Sequence, residues 1–277
     1  MDRRSFLVGA SGAASALAGC ADLATPGEGG VAERDLPERP ADPTPESVAA
    51  YVADYEEVRV HNRHAREGAT EVTVDAVATF DRASGGDYFA TAQHAGTVYE
   101  EQDGARSVGE LYGRPVPYLV APDRTLRLPV TRRRVAPGAS DRPPDETASP
   151  PLGVRLCNVT DEPREFAVTV VRRSVGEESD AATTDATDAD VAEVTGEEGD
   201  LVCSTTAALD PESAVELLAI TDVRGSYRVT ASMEDDGVTG QGRIEVGLPG
   251  ADRAPNVDVV IDESGVSAWH LPSFEGI

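Results

Sequence analysis

The chain has 277 residues, enough for one large domain or two small ones with proper cores. Its 50 acidic residues stand against 24 basic ones, all of them arginine, for a formal net charge of −26. That balance argues against a nucleic-acid surface, because phosphates need a basic footprint. At ordinary ionic strength such a surface repels itself; in molar salt the Debye length is about 3 Å and the repulsion is screened.

The first twenty residues read MDRRSFLVGASGAASALAGC. A basic start, a short apolar middle and a small-residue exit are the three parts of a secretory signal. The run from Phe6 to Ala18 is shorter than the roughly 20 apolar residues that span a bilayer. Arg3 and Arg4, followed by Ser5, Phe6 and Leu7, resemble a twin-arginine export signal. Leu17-Ala18-Gly19-Cys20 resembles a lipobox, in which the cysteine becomes the lipid-modified first residue of the mature chain. The two resemblances imply a signal peptide over residues 1–19, a lipid on Cys20 and attachment to the extracytoplasmic face of the cell membrane. The plainer alternative is an ordinary cleaved signal with an incidental cysteine. A lysine-free, acidic, Asp-rich chain also resembles the proteins of salt-loving archaea, in which acidity is an adaptation to brine rather than the mark of a basic partner.

Residues 20–43 are rich in Pro, Gly and charge and read as a flexible tether. At Thr44-Pro45-Glu46-Ser47 a helix starts, with Thr44 as N-cap and Pro45 at the first helical position. Val48, Tyr51, Val52, Tyr55 and Val58 form one apolar stripe, and Gly68 is the expected stop. His61 and His64 are spaced as two imidazoles on one helix face, but no third ligand is visible and two polar residues near a helix end account for them. Val72, Val74, Ala76, Ala78 and Phe80 alternate as a half-buried strand. Further strands are expected in DYFATAQHAGTVYEE, PVPYLVAP and TLRLPVTRRRV, with turns at Ser84-Gly85-Gly86 and Asp103-Gly104. Residues 44–135 thus read as an α+β domain, one helix on an antiparallel meander. Arg132, Arg133 and Arg134 are the one basic cluster of the mature chain and read as a solvated strand end.

Residues 136–150 form a Pro-rich linker and the expected domain boundary. From residue 151 to 277 the pattern is nearly all β. GVRLCNVT, EFAVTVVRRS, LVCSTTAAL, SYRVTASM, GRIEVGL, NVDVVID and VSAWHL are strands, and AVELLAI is ambiguous with a lean to strand. Glu234-Asp235-Asp236-Gly237 is a hairpin turn, and Trp269 is expected near the last strand. Residues 176–200 carry ten acids and no base and read as a solvated acidic loop. Strands at this spacing predict a β-sandwich. The order of strands and turns resembles the immunoglobulin-like modules of haloarchaeal surface lipoproteins, a likeness from which no functional residue carries over.

With Cys20 under lipid, Cys157 and Cys203 remain as a candidate disulfide or as two separate buried thiols. Asn158-Val159-Thr160 is a candidate N-glycosylation site. Gly-x-Ser-x-Gly, His-Glu-x-x-His, a P-loop and Gly-x-Gly-x-x-Gly do not occur. No catalytic residue, metal ligand or cofactor is therefore predicted. The expected function is a membrane-anchored binding or structural module whose partner, protein or glycan, is open. The competing readings are the ligand-capturing lipoprotein of a transporter and an extracytoplasmic hydrolase with an unfamiliar site.

Overall fold

Helix α1 (Pro45–Arg66) starts where the sequence places it. The Thr44 hydroxyl accepts from the Ser47 backbone N–H at 3.2 Å, and the Ser47 hydroxyl accepts from the Thr44 N–H at 2.8 Å, a reciprocal capping box. Glu67 is the C-cap, and Gly68 follows at φ 91°, a conformation that favours glycine. The chain is described by a computed structural model over residues 30–102, 104–135, 147–173, 199–235, 238–250 and 252–274. Among the described residues the fold is mainly β with this one helix.

The first sheet is antiparallel and built around β2 (Asp87–Gln102). Strand β1 (Glu71–Ser84) lines one edge of β2 after a Gly85-Gly86 turn, both glycines at positive φ. On the other edge β3 (Ala105–Tyr112) and β4 (Val116–Val120) lie end to end, and β5 (Thr125–Arg127) flanks β4. The middle sheet contains β6 (Val130–Arg134), β7 (Thr147–Asn158), β10 (Ser213–Val223), β13 (Val257–Asp262) and β14 (Gly265–His270), in the order β14-β13-β7-β10-β6. Its β13–β7 and β10–β6 pairs are parallel. The outer sheet contains β8 (Arg164–Arg172), β9 (Asp200–Leu209), β11 (Gly225–Asp235) and β12 (Val238–Leu248), in the order β12-β11-β8-β9.

Alternation along the strands stacks these elements in four layers. Val48, Tyr51 and Val52 of α1 pack on Ala90, Ala92, Tyr118 and Val120. The neighbouring residues Phe89, Leu119 and Ala121 point the other way, onto Cys157, Ala214 and Val260 of the middle sheet. Leu156, Val215 and Val259 of that sheet then face Phe166, Val168, Val170, Tyr227 and Val229 of the outer sheet. The middle sheet is therefore covered on both faces, and the largest core lies between it and the outer sheet.

Several expectations change. Strand β6, grouped by sequence with the N-terminal unit, pairs in parallel with β10, so the middle sheet draws strands from both sides of the expected boundary at 136–150. TLRLPVTRRRV is two strands, split at Leu128-Pro129, and residues 147–150 already belong to β7. Residues 31–34, read by sequence as part of the tether, are fastened to the body. Val31 N–H donates to the Ala69 carbonyl at 3.0 Å, and Asn62 clamps Arg34, accepting from its N–H and donating to its carbonyl, each at 2.7 Å. A Pro-rich, charged segment has little to bury, but α1 supplies hydrogen-bonding side chains that fasten its backbone. Strand β3 was not anticipated. AVELLAI is the strand β10. The signal peptide, residues 20–29, linker residues 136–146, acidic residues 176–198, and the turn residues Asp103, Asp236 and Gly237 lie outside the described residues.

Candidate functional site

Three central strands of the middle sheet each place one charge on the face toward the first sheet. Asp258 of β13 is the cross-strand partner of Arg155 of β7. Arg155 is the partner of Glu216 of β10, and Glu216 that of Arg132 of β6. Trp269 of β14 continues the row beyond Asp258. The result is a transverse row Trp269–Asp258–Arg155–Glu216–Arg132 with alternating charge. Arg155 Nε donates to Asp258 Oδ1 at 2.8 Å, and Arg132 Nε pairs with Glu216 Oε2 at 2.7 Å.

The first sheet completes the network from the opposite side. A bulge between Phe80 and Arg82 turns Asp81 toward the interface. Its Oδ2 accepts from Arg155 Nη2 at 2.9 Å and from the Thr91 hydroxyl at 2.6 Å; its Oδ1 accepts from Arg253 at 3.2 Å. The Thr91 oxygen also accepts from Arg155 Nη1 at 2.8 Å. The Asp81 and Asp258 side chains have no exposed surface. Burial works against both Asp258 and Arg155, yet the pair holds the carboxyl below and the guanidinium above their ordinary pKa values. Arg82 stacks between Phe89 and Trp269, 3.7 and 3.6 Å from the ring centres, with Asp258 Oδ2 at 3.4 Å. Burial lowers its pKa, and burial raises that of Glu216 against the pull of Arg132 and Arg155.

A second network lies on the other face of the first sheet. The Glu56 carboxylate, 1% exposed, accepts from His94 Nδ1 at 2.9 Å, from Arg127 Nε at 3.1 Å and Nη2 at 3.4 Å, and from the Tyr118 hydroxyl. An ionised carboxylate only accepts, so His94 carries its proton on Nδ1. Burial pushes the Glu56 pKa up, but the donors outweigh it and hold the group at about 2. Burial and the nearby carboxylate push the Tyr118 phenol well above its ordinary value. Gly113 leaves room for the His94 ring: a Cβ there would sit 2.2 Å from its Cε1. In both networks the carboxylates are engaged by donors, an arrangement that holds layers in place rather than presenting a free base.

The residues singled out by sequence are not brought together. Arg3, Arg4 and Cys20 lie outside the described residues. Cys157 and Cys203 are both buried and free, so the candidate disulfide is not formed. The reason is alternation: Cys157 faces the first sheet, whereas Cys203 on β9 faces the sandwich core on the far side of the middle sheet. Burial raises both thiol pKa values, the opposite of a reactive thiolate. Thiol titration of a Cys20→Ser chain will therefore find no reactive group in the native protein and two after denaturation. A reductant-dependent fall in melting temperature would restore the disulfide.

Asn158 is likewise corrected as a glycosylation site. It has no exposed surface, and its amide donates to the Glu162 and Asp210 carbonyls at 2.7 and 3.0 Å while accepting from Thr160. The sequon's Asn and Thr shape the β7–β8 turn instead. His61 is buried and bonds the Ala32 carbonyl at 3.0 Å, and His64 pairs with Glu67 at 2.9 Å. Of the arginine cluster, Arg133 and Arg134 are exposed as expected, whereas Arg132 is half-buried and tied to Glu216. Among the described residues no three His, Cys, Asp or Glu side chains converge as a metal site. A cleft of about 420 Å³ lies where residues 39–43 cross the β1–β2 turn, lined by Arg39, Pro43, Gly86, Tyr88, Val120 and Pro122. It falls within the size range of small-ligand pockets.

The chain matches no protein-family model, no curated protein and no solved structure. Sequence reasoning missed Glu56, Asp81, Thr91, Arg155, Glu216, Arg253 and Asp258. A signal existed for four of them. Glu56 follows Val48 and Val52 at four-residue steps and so falls on the buried helix face. Arg155, Glu216 and Asp258 are single charges inside the apolar runs GVRLCN, AVELLAI and VDVVID.

Proposed function

We propose that the protein is a lipid-anchored lipoprotein on the extracytoplasmic face of the cell membrane, exported by the twin-arginine route, with a body that serves as a non-catalytic binding or structural module. The observation that carries this reading is the leader: Arg3-Arg4 before Phe6-Leu7, then Leu17-Ala18-Gly19-Cys20, in the right order and spacing. The twin-arginine route carries folded proteins, which suits a four-layer body whose middle sheet draws its strands from widely separated parts of the chain. The acidity suits a surface bathed in molar salt. The likeness of residues 151–277 to haloarchaeal immunoglobulin-like modules belongs to the same reading, and the non-catalytic assignment draws support from carboxylates already engaged by donors. Membrane attachment is expected through the lipid on Cys20, with a protein or glycan as the partner of the body.

Cys20→Ser will release the protein into the medium, as fractionation and immunoblotting would show; continued retention in the membrane would sink the lipid anchor. Changing Arg3 and Arg4 together to lysine will leave precursor in the cytoplasm, and undiminished secretion would assign export to the general route.

A further inference from the structure

Strand β3 is a long open edge. It pairs with β2 from Ala105↔Gln102 to Tyr112↔Ala95, and β5 covers only β4 on that side. Among the described residues no strand pairs with the outer edge of β3. Exposed edges of this kind invite pairing with another chain. Leu111 points under α1 into the cluster of Val72, Val74 and Val98. The alternate residues Arg106, Val108, Glu110 and Tyr112 share the other, solvent-facing side. Val108 is 62% exposed and Tyr112 76%, two of the four large apolar side chains that the described residues expose.

The spacing of these residues is self-complementary. Arg106 lies two positions before Val108 and Glu110 two positions after it. We infer that β3 is a homodimerisation edge, at which a second copy of this chain pairs antiparallel about a two-fold axis at Val108. In that register Val108 meets its own copy, Arg106 opposes Glu110 on both sides of the axis, and Ala105 opposes Leu111. Sliding the centre to Ser107 or Gly109 sets Val108 against a charge, and a one-residue slip puts each side chain on the wrong face. Opposite-charge and apolar cross-strand pairs both stabilise an antiparallel pairing. Arg106 reaches back across the sheet, over the Tyr99 ring of β2 at 4.1 Å and onto Glu71 of β1 at 2.6 Å; that ion pair is exposed, and dimerisation turns Arg106 outward to Glu110 of the second copy. A foreign strand would not require this symmetry, so the occupant is a second copy. The strong net negative charge opposes association at low salt; molar salt screens that repulsion, and the strand pairing and the Val108 contact then carry more of the association than the exposed ion pairs.

The inference is independent of the lipid anchor and is tested on the full chain carrying Cys20→Ser. Sedimentation in molar salt will show a concentration-dependent dimer that dissociates as salt is lowered. Val108→Lys will abolish the dimer without changing the circular dichroism spectrum. Arg106→Glu will do the same, and Arg106→Glu with Glu110→Arg will restore it. Val108→Cys will cross-link to its own copy under mild oxidation, because directly opposed antiparallel residues lie within disulfide reach. A monomer at every salt and concentration overturns the inference. So does a dimer that survives Val108→Lys, or one that fails to cross-link at position 108.

Discussion

Replacing Arg155 by alanine will cost the protein about 3–5 kcal/mol of stability, the range found when one partner of a buried ion pair is removed. Arg155 is 1% exposed and is a shared donor for Asp81 and Asp258, both without exposed surface. Without it two carboxylates face an interface that water does not reach. Arg253 still bonds Asp81, but Arg82 lies face-on between two rings and makes no well-directed hydrogen bond to Asp258. For a chain of this size the loss corresponds to a fall in melting temperature on the order of 10 °C. Buried pairs are weakly screened, so the loss will persist in molar salt, unlike any contribution from the exposed Arg106–Glu71 pair. If Arg155→Ala unfolds within about 1 kcal/mol of the parent chain, the network contributes little and the apolar contacts around Phe89 and Val260 hold the two sheets together by themselves.

The position of this network explains what the sequence could and could not reveal. Period-2 alternation is a guide to strands with one wet face, and it served well where that condition holds. Phe166, Val168 and Val170 on β8, and Tyr227, Val229 and Ala231 on β11, face the core as expected. The helix was legible because its start depends on local chemistry, the Thr44–Ser47 box and Pro45. The middle sheet breaks the assumption. Its strands are covered on both sides, so a charge within an apolar run marks a buried face rather than an exposed one. Arg155, Glu216 and Asp258 therefore drew no reading from the sequence, and they form a row only because the topology sets β13, β7 and β10 side by side. Their pairing is non-local: Arg155 and Asp258 are 103 positions apart in the chain. For the same reason Cys157 and Cys203, left as a candidate pair once Cys20 is assigned to the lipid, could not be told from two separate buried thiols, although a whole sheet separates the two faces on which they lie. The β6–β10 pair was hidden by another limit, since a Pro-rich segment between two strand runs is as compatible with a crossover inside one sheet system as with a boundary between domains.

Glu56→Gln will remove about 3 kcal/mol at neutral pH, and the loss will disappear in acid. The size follows from the pKa: a carboxyl ordinarily near 4.5 is held at about 2, and each unit corresponds to about 1.4 kcal/mol. A carboxyl depressed in the folded state contributes stability that is fully present above its unfolded pKa. That contribution is lost as pH falls from about 4.5 through about 2. Glutamine keeps the shape of the side chain but offers one neutral carbonyl where Glu56 accepts from His94, Tyr118 and Arg127, and its NH₂ brings donors toward groups that are themselves donors. Denaturant unfolding of both proteins over that pH range, at constant molar salt, measures the difference directly. Asp258, also held below its ordinary value, titrates in both proteins and cancels from the comparison. A difference that shrinks steadily between about pH 4.5 and pH 2 assigns the stabilisation to the ionised carboxylate. A difference that stays constant to the acid end assigns it to packing, and the Glu56 network then holds α1 on the first sheet by shape rather than by charge.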